Sequence, residues 1–437
     1  MPQSQTSLLS AEPSAKLHGT ANLPGDKSIS HRALILGALA NGETQITGLL
    51  QGDDVLRTAA AMRALGAVVE RDGAIWRVTG APWTSPEKAL YFGNAGTGSR
   101  LVMGAVAGQG INAAFDGDAS LRSRPMDRIL APLIKMGVET ESLEGRLPCS
   151  VKGGMIKPID YTLPKPSAQI KSAILLAGLG AAGEVIVREP VPCRDHTERM
   201  LSAFGVSVDV SSTDEGNVIR LVGGQKLNAC EIDVPGDPSS AAFIAAAALI
   251  IEGSDVTIKN ALINPHRIGF FQTVQEMGGD LEFANEREQG GERVADIRVR
   301  SSALSGIAVP AARAASMIDE YPVLAVVAAF ADGTTEMQGI GELRVKESDR
   351  IAATETALKQ NGVVVESGPD WLRVIGGKGT VKGGGAVESH HDHRIAMSFL
   401  VLGLAAQNRV TVNNADMIAT SFPGFVETMD KIGAKIG

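Results

Sequence analysis

Met62-Arg63-Ala64-Leu65-Gly66-Ala67-Val68-Val69 reads as the last turn of a helix, a glycine that stops it, and the start of a β-branched strand. The phrase returns as IKMGV at 134–138, LSAFGVSV at 201–208, VQEMGGDL at 274–281, LKQNGVVV at 358–365 and MDKIGAKI at 429–436. Six copies, spaced by roughly 60 to 80 residues, are the mark of a repeat architecture. Each period holds a polar head, an apolar helical run, a strand and a second helix that ends in the phrase. The expected unit is β-α-β-α-β-β, with helices burying one face against a sheet. The fold class is α/β.

A second echo marks the domain organisation. Leu23-Pro24-Gly25-Asp26-Lys27-Ser28 returns as Val234-Pro235-Gly236-Asp237-Pro238-Ser239, each time between a strand-like segment and a long apolar helix. Read as paired crossings, these make residues 24–236 one lobe of three repeats. Residues 1–23 then join 237–437 to complete a second lobe of three, and the active site is expected in the cleft between them. The alternative is tandem domains without the exchange.

Length and composition agree with two cores: 437 residues exceed one ordinary domain. No apolar run reaches the roughly 18 residues of a membrane span, so no membrane association is expected. The leader MPQSQTSLLSAEPSAK lacks a signal core and the arginines of a transit peptide, which points to the cytoplasm. Three cysteines, Cys149, Cys193 and Cys230, suit a reducing compartment. The net charge of −8 argues against nucleic acid as a partner, so any positive site has to be local.

The polar heads supply such a site. In Pro24-Gly25-Asp26-Lys27-Ser28-Ile29-Ser30-His31-Arg32, Asp26 or Ser28 reads as the N-cap of the following helix. Lys27 opposes the helix dipole, which favours negative charge there, unless an anion binds. Ser28 and Arg32, one turn apart, complete a candidate phosphate or carboxylate site. Further heads repeat the pattern: GNAGTGSR at 93–100, SLRSRPM at 120–126, SAQIKS at 167–172, RDHT at 194–197, DEYP at 319–322, RVKESDR at 344–350 and HHDHR at 390–394. Solvated charge explains one such lysine; the recurrence favours a pocket for several anions. Asp319 and Glu347, carboxylates among these bases, are also read as an N-cap and as an acid in a first helical turn.

Other motifs fail on context. GLGAAG at 178–183 follows a helix and precedes a strand, the reverse of a dinucleotide loop, and reads as a helix end. GGKGT at 376–380 reads as a turn. His390, His391 and His393 fall on different faces of a helix start, and no metal site is expected.

PGDKSISHR, GNAGTG, RPM, SAQIKSA, RDHTE, IDEYP, LRVKESDR, DHRIAM and TSFP occur in this order along nearly the whole chain. In them the sequence resembles the 5-enolpyruvylshikimate-3-phosphate (EPSP) synthase family, in its class II bacterial subgroup. The resemblance implies a two-lobed inverse α/β barrel and transfer of the enolpyruvyl group of phosphoenolpyruvate to the 5-hydroxyl of shikimate 3-phosphate. It implies release of phosphate, no metal and no cofactor, a monomer, and a place in aromatic amino-acid biosynthesis. By resemblance Lys27, Ser28, Arg32, Ser167, Ala168, Gln169, Arg194, Asp319 and Lys346 contact shikimate 3-phosphate. Lys27, Gly96, Arg124, Gln169, Arg350 and Arg394 hold phosphoenolpyruvate. Asp319 is expected as the base at the 5-hydroxyl, Glu347 as the proton donor to C3, and Lys27 at the leaving phosphate. In an empty site, Lys27, Arg32 and Arg124 are expected to repel Lys346, Arg350 and Arg394.

Two departures stand out. Thr420 precedes Ser421-Phe422-Pro423 where many relatives carry lysine. Gly96 takes the place of the alanine found in some glyphosate-tolerant members, which leaves herbicide sensitivity open. The runner-up family is UDP-N-acetylglucosamine enolpyruvyl transferase, which requires a loop cysteine as proton donor.

Overall fold

The computed structural model describes residues 7–437. Its strands form six four-stranded sheets of identical order. In the third repeat Asp160–Thr162 runs parallel to Glu184–Glu189, which pairs antiparallel with Gly216–Val222, which pairs antiparallel with Val208–Thr213. One parallel pair followed by antiparallel neighbours is what a β-α-β crossover and then an α-β-β return must give. Six such repeats are the inverse α/β barrel architecture.

The phrase that announces each repeat has one structural cause. Gly66, Gly137, Gly205, Gly278, Gly362 and Gly433 all have φ between 81° and 111°. The amide of the residue after each glycine bonds the carbonyl five positions back: Ala67 to Met62, Val138 to Leu133, Val206 to Leu201, Gly279 to Val274, Val363 to Leu358 and Ala434 to Met429, at 2.8–3.1 Å. These are Schellman caps, which need a left-handed residue that glycine supplies without strain.

The chain forms two compact units. One is Gly25–Val234 with Gln289–Glu292; the other holds the chain up to Pro24, Pro235–Glu288 and Arg293–Gly437. They are called here the 25–234 and 235–437 units. Strand His18–Asn22 pairs parallel with Asp255–Leu262, and Glu231–Asp233 pairs parallel with Glu43–Thr47. Leu8–Glu12 lies between Val410–Asn413 and Lys435–Ile436. Residues 289–292, which the repeat pattern assigned to the 237–437 stretch, cluster with the other unit, where Glu292 bonds His196 (2.6 Å).

The first helix of each repeat is buried along its length: α1 (Lys27–Leu39), α2 (Gly96–Gly108) and α3 (Ala168–Gly178) in the 25–234 unit, α4 (Pro238–Ile250), α5 (Tyr321–Phe330) and α6 (His393–Ala405) in the other. In the 235–437 unit α4, α5 and α6 pack on one another pairwise. In the 25–234 unit α2 packs on both α1 and α3. Gly104 and Gly108 permit the close approach to α3, since a Cβ at either would come within 2.6 Å of the carbonyl oxygens of Ala173 or Leu176. Apolar burial on all sides explains why these helices are hydrophobic around their whole circumference. Among the described residues no helix is long and apolar enough to cross a membrane.

Candidate active site

At the start of α1, Asp26 is the N-cap: its carboxylate accepts the Ile29 amide at 2.8 Å, and Ser28 stands inside the first turn. Lys27 pairs with Asp54. Arg32 is buried, and its three nitrogens donate to the Thr197 hydroxyl (2.7 Å), the Ser172 hydroxyl (2.8 Å) and the Ser28 carbonyl (2.9 Å). His31, fully buried, bonds the Thr58 hydroxyl through Nδ1 at 2.8 Å. Burial, with the charges of Lys27 and Arg32, holds its imidazole well below its ordinary range.

Ser167 caps α3, and Ala168 is its first residue. Gln169 accepts from Arg100 (2.6 Å) and donates to the Thr97 hydroxyl (3.0 Å). Arg124 does not start a helix as RPM suggested. It closes the short helix Ala119–Ser123, and the next helix begins at Asp127. Its buried guanidinium donates to Asn94 and to the Ser120 hydroxyl (3.2 Å). A Cβ on Gly96 would lie 3.0 Å from this guanidinium, so residue 96 borders Arg124 directly. Half-buried Arg194 precedes Asp195, the N-cap position of His196–Ala203. Beneath this segment Lys171 is buried between Glu189 (2.8 Å) and Glu198 (2.6 Å). Burial works against its charge, but Glu198, Cys193 and Glu189 outweigh it and raise the lysine above its usual range.

In the 235–437 unit one guanidinium organises the cluster. Arg350, fully buried, opens the helix Arg350–Gln360. Its Nε and one terminal nitrogen grip Asp392 (2.8 and 3.2 Å), that same nitrogen reaches Glu347 (2.6 Å), and the other reaches Asp319 (3.1 Å). Burial opposes the charge of Arg350, yet Asp392, Glu347 and Asp319 raise its pKa. Asp392 is held below the carboxylate range: its burial acts the other way but is overcome by Arg350. Lys346 lies 3.6 Å from Asp319. Arg394 donates to the Asp319 carbonyl (3.2 Å) and to Glu320 (3.3 Å). Glu320 also accepts from Ser239, which Arg267 contacts at 3.2 Å.

Three expectations need correction. Asp319 is not a cap: Glu320 occupies the N-cap position of α5, and the side chain of Asp319 turns to Arg350 and Lys346. Glu347 is not in a first helical turn, since it precedes the N-cap Asp349. The expected repulsion also loses its premise, because Lys346, Arg350 and Arg394 stand among four carboxylates, Asp319, Glu320, Glu347 and Asp392. Asp392, Glu320, Arg100 and Asp54 were not singled out as site residues from sequence. Sequence neighbours were the usable signal: Glu320 follows Asp319 in DEYP, Arg100 closes GNAGTGSR, and Asp392 stands two residues before Arg394.

Among the described residues Asp195, His196 and Glu292 are the group whose ligand atoms lie close enough for a metal ion. Arg199 already bonds Asp195 (2.8 Å) and lies 3.7 Å from Glu292, so a cation occupies that place. His390 and His391 stand before α6 in left-handed backbone, and only His393 is helical. GLGAAG begins at the last residue of α3 and forms its end, and GGKGT holds the last two residues of the strand Trp371–Gly377 and the turn after it. Thr420 donates its hydroxyl to the Met417 carbonyl (2.7 Å). Cys149 and Cys193 are buried thiols; burial pushes Cys149 up to about 12, and Cys193 donates to Glu189 at 2.7 Å.

The family model described as EPSP synthase (3-phosphoshikimate 1-carboxyvinyltransferase) matches residues 11–429. The 3-phosphoshikimate 1-carboxyvinyltransferase of Parvibaculum lavamentivorans is 59% identical over 436 residues, covering 98% of this chain and 96% of that one. That of Methylorubrum extorquens is 56% identical over 438 residues, with 98% and 97% covered. An EPSP synthase structure from Acinetobacter baumannii superimposes with a TM-score of 0.86 at 43% identity, covering 98% of this chain and 99% of that one. The enolpyruvyl transferase NikO from Streptomyces tendae, at 18% identity and a TM-score of 0.76 over 98% of both chains, shares the fold.

Proposed function

The chain belongs to the EPSP synthase family, and from that premise we propose how its residues divide the work. It is a transferase of aromatic amino-acid biosynthesis that moves the enolpyruvyl group of phosphoenolpyruvate onto the 5-hydroxyl of shikimate 3-phosphate and releases phosphate. The reaction needs two proton movements. The 5-hydroxyl oxygen attacks C2 and loses its proton while C3 gains one, giving a tetrahedral intermediate. C3 then returns its proton as the bond from C2 to the phosphate oxygen breaks.

Asp319 serves as the base at the 5-hydroxyl, Glu347 as the donor to C3, and Lys27 assists the leaving phosphate. The observation that carries this assignment is that Asp319 and Glu347 hold opposite arms of one buried guanidinium, Arg350, whose Nε edge is anchored by Asp392. Two carboxylates fixed by one rigid fork keep a constant spacing, as taking a proton from the 5-hydroxyl and giving one to C3, two atoms that end bonded to the same C2, requires. Lys27, Ser28, Arg32, Ser167, Ala168, Gln169, Arg194, Asp319 and Lys346 take shikimate 3-phosphate; Lys27, Gly96, Arg124, Gln169, Arg350 and Arg394 take phosphoenolpyruvate. On this reading the 24–236 lobe and the lobe of 1–23 with 237–437 each supply residues to the reaction, within a single cytoplasmic chain.

One experiment tests the reading: supply phosphoenolpyruvate with either shikimate 3-phosphate or UDP-N-acetylglucosamine and follow phosphate release. Release is expected with shikimate 3-phosphate. Release with the nucleotide sugar alone overturns it, and the burial of Cys149 and Cys193 speaks against that outcome.

A further inference from the structure

Gln169 has two chemically opposite ends, and what it offers a substrate depends on which way its carboxamide lies. Arg100 settles the choice. A guanidinium carries donors only, so the carboxamide oxygen must face it, as it does at 2.6 Å. The amide nitrogen is thereby directed to the Thr97 hydroxyl at 3.0 Å. One N–H is spent there, and the carboxamide nitrogen carries a second. A second terminal nitrogen of Arg100 donates to the Pro125 carbonyl at 3.0 Å, next in sequence to Arg124. The buried fork therefore ties the end of α3 that carries Gln169 to the segment that carries Arg124.

We propose that Arg100 is a positioning residue for phosphoenolpyruvate: it commits Gln169 to donating a hydrogen bond to an anionic oxygen and sets the segment of Arg124, without itself touching substrate. The inference rests on the reading above that Gln169 and Arg124 bind phosphoenolpyruvate. If the carboxamide turned over, it would present its oxygen to an anion and become repulsive.

The test is a double-mutant cycle on the full chain, with Arg100→Met, Gln169→Ala and the pair, reading KM for each substrate and kcat. Gln169→Ala is expected to raise KM for phosphoenolpyruvate about tenfold or more, the usual scale for a hydrogen bond to a charged group. Arg100→Met should raise the same KM by a similar factor, with a smaller change in kcat. In the Gln169→Ala background Arg100→Met should add less than about half of that factor, because the group it orients is gone. Multiplying effects would mean that Arg100 does not act through Gln169, and would overturn the proposal. So would an unchanged KM in Arg100→Met when Gln169→Ala is impaired. An unchanged KM in Gln169→Ala itself would remove the substrate role of Gln169, and the proposal with it. If Arg100→Met does not fold, Arg100→Lys serves: a single ammonium cannot span both Gln169 and Pro125, so KM should still rise about threefold or more, and a wild-type KM overturns the inference.

Discussion

Arg32 in the 25–234 unit and Arg350 in the 235–437 unit are both buried and both use every guanidinium nitrogen, yet on different partners. Arg32 donates to two hydroxyls and a carbonyl; Arg350 donates to three carboxylates. Arg124 and Arg100 follow Arg32, reaching asparagine, serine, glutamine and proline oxygens. Arg394 follows Arg350 in reaching a carboxylate, Glu320. Neutral oxygens orient a guanidinium without cancelling its charge, which leaves it able to attract an anion. Carboxylates cancel the charge and supply groups that can exchange protons. On the reading proposed above, bases of both units take the anions, and the 235–437 unit adds the carboxylates for proton transfer.

The comparison breaks most readily at Asp319. Asp319→Asn keeps the shape and a hydrogen bond to Arg350 but loses basicity, so turnover should fall by about 10²–10⁴, the usual worth of a general base. Binding of shikimate 3-phosphate, followed by calorimetry, should persist. Turnover close to that of the wild type would reduce Asp319 to a partner of Arg350 and would leave the 235–437 unit without its proposed proton chemistry.

Lys171 is a counter-example within the 25–234 unit, a buried cation held by Glu189 and Glu198, as Lys27 is held by Asp54. Here the carboxylates are scaffold. Lys171→Met strands two buried acids and should cost about 3–5 kcal/mol of stability in urea denaturation. A loss well under 1 kcal/mol would show that the cluster is not a structural clasp under the Arg194 segment.

Arg124 tests the anion side. Because its guanidinium also holds Asn94 and Ser120, truncation to alanine would confuse binding with folding. Arg124→Lys keeps the charge and loses the fork. KM for phosphoenolpyruvate should rise about tenfold, the scale of one charge-assisted hydrogen bond, while kcat changes less. An unchanged KM would mean that charge alone suffices.

Sequence legibility followed the range of the interactions. The Schellman glycines are local, so six phrases of five to eight residues revealed the repeats and the order of elements. Lys27 and Arg394 were legible because a base at a helix start contradicts the dipole and asks for a reason. Arg100 and Asp392 were not, since their partners lie 69 and 42 residues away in other repeats. Carboxylates near helix starts also look like ordinary caps, which is why Asp319 and Glu347 were given cap-like alternatives that the structure removes. The grouping of residues 289–292 goes with contacts such as that of Glu292 with His196, 96 residues apart, and no periodicity encodes these.

The smallest expected effect is a pH dependence written into the anion side. His31 is neutral because it is buried and because Lys27 and Arg32 add positive field beside it, with Asp26 acting weakly in the other direction. Its folded pKa lies below the unfolded value of about 6.5, so in acid the unfolded chain takes up the proton first. The stability that this group confers is therefore complete above about pH 6.5 and is lost as the pH falls below it, at up to about 1.4 kcal/mol per pH unit. His31→Gln keeps a partner for Thr58 but does not titrate. The stability difference between wild type and variant, from urea melts at pH 7.5, 6.5, 5.5 and 5, should be constant at the upper end and shrink toward the lower. Saturating shikimate 3-phosphate should weaken this slope, because a dianion near Lys27 and Arg32 offsets the field that depresses the imidazole. A difference that stays flat across the series would mean that neither burial nor the charges of Lys27 and Arg32 hold His31 neutral in the fold.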